Sequence, residues 1–336
     1  MKVSILGAGA MGAALTIPYS EKNDVILWGT EFDTAILDKL TKGEEHPRIG
    51  AKVAAKEILY PNELDKALDA DIILIGVSTE GVMGIFKKIE KNLENQIIIT
   101  IAKGFIERDE ILTIPEAIWE DRRDLKGKIV SVTGPSIARE VAMKLPTHVT
   151  YSSVSEKTLD LIKNSLETHF YRIEASRDII GCEVGSALKN VYSIAISWIR
   201  GIESRKNVTM NNLKGIIVSM ALREISQMVT AKGGRWKSVY GFTGIGDLIA
   251  TFRGGRNGMF GELLGKGYDV KSALKELEKR GVGVIEGYTN ASRAYRLAEE
   301  LDERGRLRLE ELKLLNGINN VLYHGGNADE VIDALF

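Results

Sequence analysis

Short, mainly apolar runs separated by longer amphipathic stretches fill the first half of the chain. The runs occupy residues 2–6, 24–28, 71–75, 96–101, 128–133 and 147–151, with 170–173 as a further candidate. A strand that is apolar throughout needs cover on both faces, the condition of a parallel sheet between two helical layers. Helical periodicity fills the intervals, for example at 11–20, 32–41 and 155–168. The pattern predicts a doubly wound α/β arrangement.

After about Ile180 the pattern changes. A long helix is predicted from near Cys182 through Trp198 towards Ile202, then further helices at 213–231, 246–252, 270–279, 289–301 and 309–323. No strand pattern appears from 181 to 336. The expected organisation is a Rossmann-type domain over 1–180 and an all-α domain over 181–336, joined by a rigid helix. A length of 336 residues accommodates two domains.

The first strand runs into Gly7-Ala8-Gly9-Ala10-Met11-Gly12, a GxGxxG spacing that then opens a helix. Gly7 permits the tight turn, Gly9 lets backbone approach a pyrophosphate, and Gly12 lets the helix pack on the sheet. The diphosphate then meets free N–H groups at the helix N-terminus. The spacing alone is a weak signal, and a plain glycine turn is the competing reading. The strand–loop–helix setting favours a dinucleotide.

At the tip of the second strand neither Trp28 nor Gly29 is acidic. Thr30 could donate to a 2′-phosphate, and Arg48 could reach it. Glu31 at a helix start suits the helix dipole better than a ribose. These residues favour NADP over NAD and leave NAD open.

Four further segments put polar residues where burial alone would not. Lys103, in Ile101-Ala102-Lys103-Gly104, ends a buried strand at the edge where such folds bind ligands; a lysine simply emerging into solvent is the alternative. Thr133-Gly134-Pro135-Ser136 ends another strand, with Pro135 suited to a first helical turn, or to an ordinary helix start. Lys189 and Asn190 interrupt an apolar helix, with Gly185, Ser186, Tyr192 and Ser193 at helical spacing around the lysine. Either a cavity opens over that ammonium, or its stem packs on the core with a solvated head. In Gly244-Ile245-Gly246-Asp247-Leu248-Ile249-Ala250-Thr251, Asp247 and Thr251 share one helix face. Gly254, Gly255, Arg256 and Asn257 follow, and the guanidinium fork suits a phosphate. A cap and a surface charge would explain the parts singly, but not their crowding.

Composition narrows the choice. A net charge of −1 argues against wholesale binding of nucleic acid or of an anionic membrane surface. The apolar runs of the first half are far shorter than the roughly 20 residues of a membrane span, so no stable insertion is expected. Strand pattern already at Val3 leaves no room for an export signal, and the single Cys182 suits a reducing, cytoplasmic setting. His46, His148, His169 and His324 are scattered without ligand spacing, so no metal site is expected.

Taken in order, GAGAMG, IAKG, GPSIARE, GSALKN and GIGDLIATFRGGRN resemble the signature series of glycerol-3-phosphate dehydrogenases, continuing to Val284-Ile285-Glu286-Gly287. LKN and GGRN discriminate best. The resemblance covers most of the chain and implies a Rossmann domain, an α-helical domain and an active site in the cleft between them. It implies reversible hydride transfer between NAD(P)H and dihydroxyacetone phosphate, giving glycerol 3-phosphate for phospholipid synthesis. By resemblance, Lys189 is the catalytic acid–base, assisted by Asp247 and Lys103. Gly134, Ser136, Asn190, Thr251, Gly255, Arg256 and Asn257 line the substrate site. Ala10, Met11, Thr30, Ala138, Val284 and Glu286, with Lys103 and Arg256 shared, lie near the dinucleotide. A homodimer is expected. Two features depart from the family: Ile217 to Arg223 lacks the usual arginine-bearing stretch, and a loop read at Ile202 to Lys206 lacks its glycines. A related dehydrogenase of a hydroxy acid or ketopantoate, or a non-catalytic dinucleotide-binding protein, is the alternative.

Overall fold

The computed structural model describes residues 1–252 and 255–335; Gly254 of the segment above lies outside the described residues. Two compact units form, Met1–Ile106 with Leu112–Ile179, and Glu107–Ile111 with Ile180–Phe336.

The strands of the chain are β1 (Lys2–Leu6), β2 (Asp24–Trp28), β3 (Glu57–Leu59), β4 (Ile72–Ile75), β5 (Ile97–Thr100), β6 (Phe105–Glu107), β7 (Ile111–Thr113), β8 (Ile129–Thr133), β9 (Thr147–Ser152) and β10 (Tyr171–Ser176). Eight of them make one sheet in the order β10-β9-β8-β5-β4-β1-β2-β3, and β6 pairs with β7 separately. From β3 to β8 every pairing is parallel. The sheet is not parallel throughout, however, because β9 runs antiparallel to β8 and carries β10 with it. The link from 134 to 146 holds only the five-residue helix Ala138–Ala142, whereas parallel crossovers are usually built on a full helix.

Side chains of β1, β2, β4 and β5 such as Val3, Ile5, Leu27, Leu74 and Ile99 form the core of this unit. Each fully buried aliphatic side chain contributes about 1.5–3 kcal/mol relative to exposure. Strand order reverses between β1 and β4, and open α/β sheets bind ligands at the carboxyl ends of strands at such a point. Gly7 and Gly76 directly follow those two strands.

In the second unit, the described residues from 180 onward form helices and no strand. Helix Ile179–Lys206 is long and apolar enough to cross a membrane, yet 94% of its most apolar window is buried in the fold, which makes it a core helix. It runs on through Ile202 to Lys206, so the loop read there is helical. Helices Asn211–Lys232, Asp247–Phe252, Arg256–Gly265, Glu286–Glu303 and Lys313–Tyr323 pack in the same unit. Segment 107–111 joins it through charge: Glu107 meets Arg296 at 2.5 Å, Glu110 meets Arg304 at 2.5 Å, and the Ile111 N–H donates to Glu300 at 3.1 Å.

Candidate active site

The glycine-rich loop is shaped by what it cannot accommodate. Gly7 has φ of +122°, and a Cβ there would lie 2.7 Å from the Gly76 carbonyl oxygen. A Cβ on Gly12 would lie 2.1 Å from the Gly7 carbonyl oxygen, so the helix packs on the loop only without a side chain. Gly9 is different: nothing but the Gly76 oxygen, at 3.9 Å, comes near its absent Cβ, which leaves open backbone for a ligand. It caps the ten-residue helix Ala10–Tyr19 with no side-chain hydrogen bond, so Ala10 and Met11 open a helix whose first N–H groups can take an anion. These residues fit a dinucleotide diphosphate.

The same carboxyl edge carries the other candidates of the first unit. Lys103 follows β5 and donates to the Gly134 carbonyl at 3.2 Å; Gly134 follows β8 with φ of +101°. The Ser136 hydroxyl donates to the Met11 sulfur at 3.7 Å. Pro135 is not in a first helical turn, because the helix begins later, at Ala138, and has only five residues.

At the tip of β2, Thr30 is buried and its hydroxyl donates to Asp33 at 2.8 Å, so that hydrogen points inward and not toward a 2′-phosphate. The same Asp33 oxygen accepts the N–H groups of Thr30 at 2.9 Å and of Ala8 at 3.3 Å. Buried His46 places Nε2 3.0 Å from the Ala8 carbonyl oxygen, and Arg48 is exposed in the same turn. Sequence reasoning passed over Asp33 and His46. The Thr30-x-x-Asp33 spacing was the available signal for the first.

In the second unit, Lys189 Nζ donates to Asp247 Oδ1 at 2.7 Å and to Thr251 Oγ1 at 2.6 Å. The Thr251 hydroxyl reaches the same Asp247 oxygen at 3.4 Å, which closes a triangle. Lys189 is 4% exposed and Asp247 2%, so the lysine head is not solvated. Asp247 is brought there by a wide π-helical turn, Phe242–Gly246, that leads directly into its helix. Gly244 is needed in that turn, since a Cβ would sit 1.9 Å from the Val239 carbonyl oxygen. Such π-turns occur frequently at functional sites.

Asn190, next on the helix, starts a second network. Its carbonyl side-chain oxygen accepts from Asn257 Nδ2 at 3.1 Å, and its amide donates to Glu286 at 3.4 Å. Asn257 Oδ1 in turn accepts the Gly287 N–H at 2.9 Å. Arg256, half-exposed, pairs with Glu286 at 3.3 Å. It is the first residue of helix Arg256–Gly265, capped by Gly255 without a side-chain bond, so the arginine and an open helix N-terminus belong to the same turn. Val284 is exposed just before Glu286. Lys189, Asn190, Asp247, Thr251, Arg256, Asn257 and Glu286 are thus linked, directly or through one neighbour on the helix.

Glu224 is a further buried group in this unit. It accepts from Tyr192 at 2.9 Å and from the Leu314 and Leu315 N–H groups at 2.8 and 2.9 Å. Burial raises its pKa above the usual carboxylate value, against the lowering effect of those three donors. Among the described residues, no group of three or more His, Cys, Asp or Glu side chains is arranged to hold a metal ion.

Comparison with known proteins matches residues 2–159 to the N-terminal model of NAD-dependent glycerol-3-phosphate dehydrogenase and residues 178–333 to its C-terminal model. An NADP(+)-dependent glycerol-3-phosphate dehydrogenase of Archaeoglobus fulgidus is 50% identical over 335 residues, 99% of this chain and 98% of that protein. A glycerol-3-phosphate dehydrogenase [NAD(P)+] of Bacillus subtilis is 29% identical over 99% of this chain and 93% of its own length. The solved glycerol-3-phosphate dehydrogenase of Coxiella burnetii shares the fold, with a TM-score of 0.82 at 23% identity, covering 99% of this chain and 98% of that one.

Proposed function

The chain belongs to the NAD-dependent glycerol-3-phosphate dehydrogenase family, and on that premise we propose that it reduces dihydroxyacetone phosphate to sn-glycerol 3-phosphate, reversibly, with NADPH or NADH. It is an NAD(P)-dependent oxidoreductase. Residues 1–180 hold the dinucleotide and 181–336 carry substrate binding and acid–base chemistry. The observation that carries this reading is the buried Lys189–Asp247–Thr251 triangle, linked through Asn190 and Glu286 to a half-exposed arginine at a helix N-terminus.

Gly7, Gly9, Ala10, Met11 and Gly12 hold the diphosphate of the dinucleotide, whose nicotinamide supplies or takes the hydride. Lys189 as ammonium donates a proton to the carbonyl oxygen, and as amine recovers it from the hydroxyl in the reverse direction. Asp247 keeps the lysine charged against the desolvation that disfavours a buried ammonium. Thr251 fixes the direction of the Nζ–H bonds. Arg256, with Asn257 and the helix N-terminus capped by Gly255, binds the phosphate, and the network through Asn190 holds that clamp in register with Lys189. Lys103, Gly134, Ser136 and Ala138 contact cofactor and substrate, with Lys103 polarising the carbonyl. Glu286 orients Arg256, and Val284 lies near the cofactor.

Arg48 is the residue assigned to the 2′-phosphate, in place of the inward-turned Thr30. A homodimer, a cytoplasmic location and a supply of glycerol 3-phosphate to phospholipid synthesis belong to the same proposal. Exposed Trp236 and Tyr240, packed edge to face with ring centroids 5.6 Å apart on the helical unit, supply an apolar surface that a second copy would cover. The test is cofactor oxidation with dihydroxyacetone phosphate, NADPH and NADH each supplied in turn, beside ketopantoate as comparator. Turnover confined to the carboxylate substrate would overturn the assignment.

A further inference from the structure

Beside the glycine-rich loop, His46-Pro47-Arg48-Ile49-Gly50-Ala51 folds into a tight turn. The His46 N–H donates to the Ala51 carbonyl at 2.9 Å, and the His46 carbonyl accepts from Gly50 at 2.9 Å and Ile49 at 3.2 Å. Gly50 closes the turn with φ of +64°. Two side chains root it in the core, Ile49 at 3% and His46 at 0% exposure, while Arg48 points out at the crown.

The partners of the imidazole determine its proton. Nε2 faces the Ala8 carbonyl oxygen, which only accepts, so Nε2 carries the hydrogen. Nδ1 lies 3.2 Å from the Arg48 N–H, which only donates, so Nδ1 carries the lone pair. The neutral ring therefore ties two segments together: the loop that meets the diphosphate and the turn that presents Arg48. Ala8 is held on its other side as well, its N–H donating to Asp33.

We infer that His46 is a positioning residue for cofactor selectivity, its neutral Nε2–H ring joining Ala8 to the Arg48 backbone so that the guanidinium is held ready for a 2′-phosphate. This rests on the assignment of Arg48 to that phosphate. An arginine on a free turn would lose backbone as well as side-chain entropy on binding; one on a turn anchored through His46 has already lost the backbone share. On that assignment Arg48 addresses only the 2′-phosphate, which the 5′–5′ diphosphate framework common to NADH and NADPH lacks, so the benefit falls on NADPH alone. A histidine that merely filled the core would affect both cofactors alike.

The test compares kcat/KM for NADPH and for NADH in the wild type and in R48A, H46Q and H46N. Gln places an amide nitrogen near the Nε2 position and keeps the bond to Ala8, but offers the Arg48 N–H no acceptor. Asn places an oxygen near the Nδ1 position and keeps that acceptor, but loses Ala8. R48A should lower the NADPH-to-NADH ratio by about tenfold or more, and H46Q by about tenfold with NADH turnover near normal. H46N should weaken both cofactors and leave the ratio within about threefold of wild type. Equal losses on both cofactors in H46Q, or no change, would overturn the role of His46 while a collapsed ratio in R48A left the Arg48 assignment standing. An unchanged ratio in R48A would remove that assignment and this inference together.

Discussion

Lys189 Nζ lies 2.7 Å from Asp247 Oδ1 with both side chains almost wholly buried. Two charges withdrawn from water at this depth cost several kcal/mol each to desolvate, and their mutual attraction repays that only with good geometry and further hydrogen bonds. Thr251 provides one such bond at 2.6 Å. The pair is therefore poor evidence of a stability device and better evidence of a charge retained for use.

That asymmetry is measurable. Asp247→Asn leaves an ammonium buried without its counter-charge and should destabilise the protein by about 3–5 kcal/mol. The double replacement of Lys189 by Met and Asp247 by Leu should be less destabilising than Asp247→Leu alone. Denaturant unfolding of the set gives the coupling; additive losses would mean that the two groups do not act as a pair.

Lys189→Ala removes the proton donor and should lower kcat by roughly two to four orders of magnitude, the usual worth of a general acid–base group. Far-ultraviolet circular dichroism and cofactor binding should stay close to wild type. Turnover near normal in a folded variant would take Lys189 out of the chemistry.

Much of this was legible from residue pattern, and the exceptions have physical reasons. Mainly apolar runs announced β1, β4 and β5, whose positions, Lys2 apart, are buried on both faces. They did not announce the direction of β9, because five of its six residues are buried whichever way it runs. β3, β6 and β7 are three residues each, too short to carry periodicity. Lys189 stood out because a lysine breaks an apolar helix. His46 did not, because histidines were weighed as metal ligands, whereas its partners are a backbone carbonyl and a backbone N–H. Bonds to main chain leave no mark in residue spacing.

Arg256→Ala should raise KM for dihydroxyacetone phosphate far more than for unphosphorylated dihydroxyacetone. The guanidinium and the helix N-terminus capped by Gly255 both address an anion that the second ketone lacks. The side chain is half-exposed and its pairing with Glu286 at 3.3 Å is exchangeable, so folding stability should scarcely change. Equal losses with both ketones would count against a phosphate clamp.

Glu224→Ala strands the N–H groups of Leu314 and Leu315 and the Tyr192 hydroxyl, all buried, and should cost about 3 kcal/mol. Tyr192 lies one turn beyond Lys189 on the same helix, so the loss reaches the reacting lysine through its scaffold. Glu224→Gln should recover only part of the stability, because one face of its amide presents hydrogens to N–H donors. A wild-type unfolding midpoint in the alanine variant would show that helix Lys313–Tyr323 starts without this carboxylate.

His46 gives stability a defined dependence on pH. Burial holds its pKa below the ordinary 6.5, helped by Arg48 and opposed by the Ala8 carbonyl and Asp33. The unfolded chain therefore binds a proton that the folded ring refuses. On that linkage the stabilisation is complete above pH 6.5 and is lost as pH falls from there toward the lower folded-state value. The proton that finally enters goes to Nδ1, where it opposes the Arg48 N–H at 3.2 Å and should loosen the Arg48 turn. Thermal unfolding followed across that range should show a decline in the wild type that is shallower in H46Q, which has no group titrating there. Identical slopes in the two proteins would assign the decline to other groups and leave the neutral ring without thermodynamic consequence.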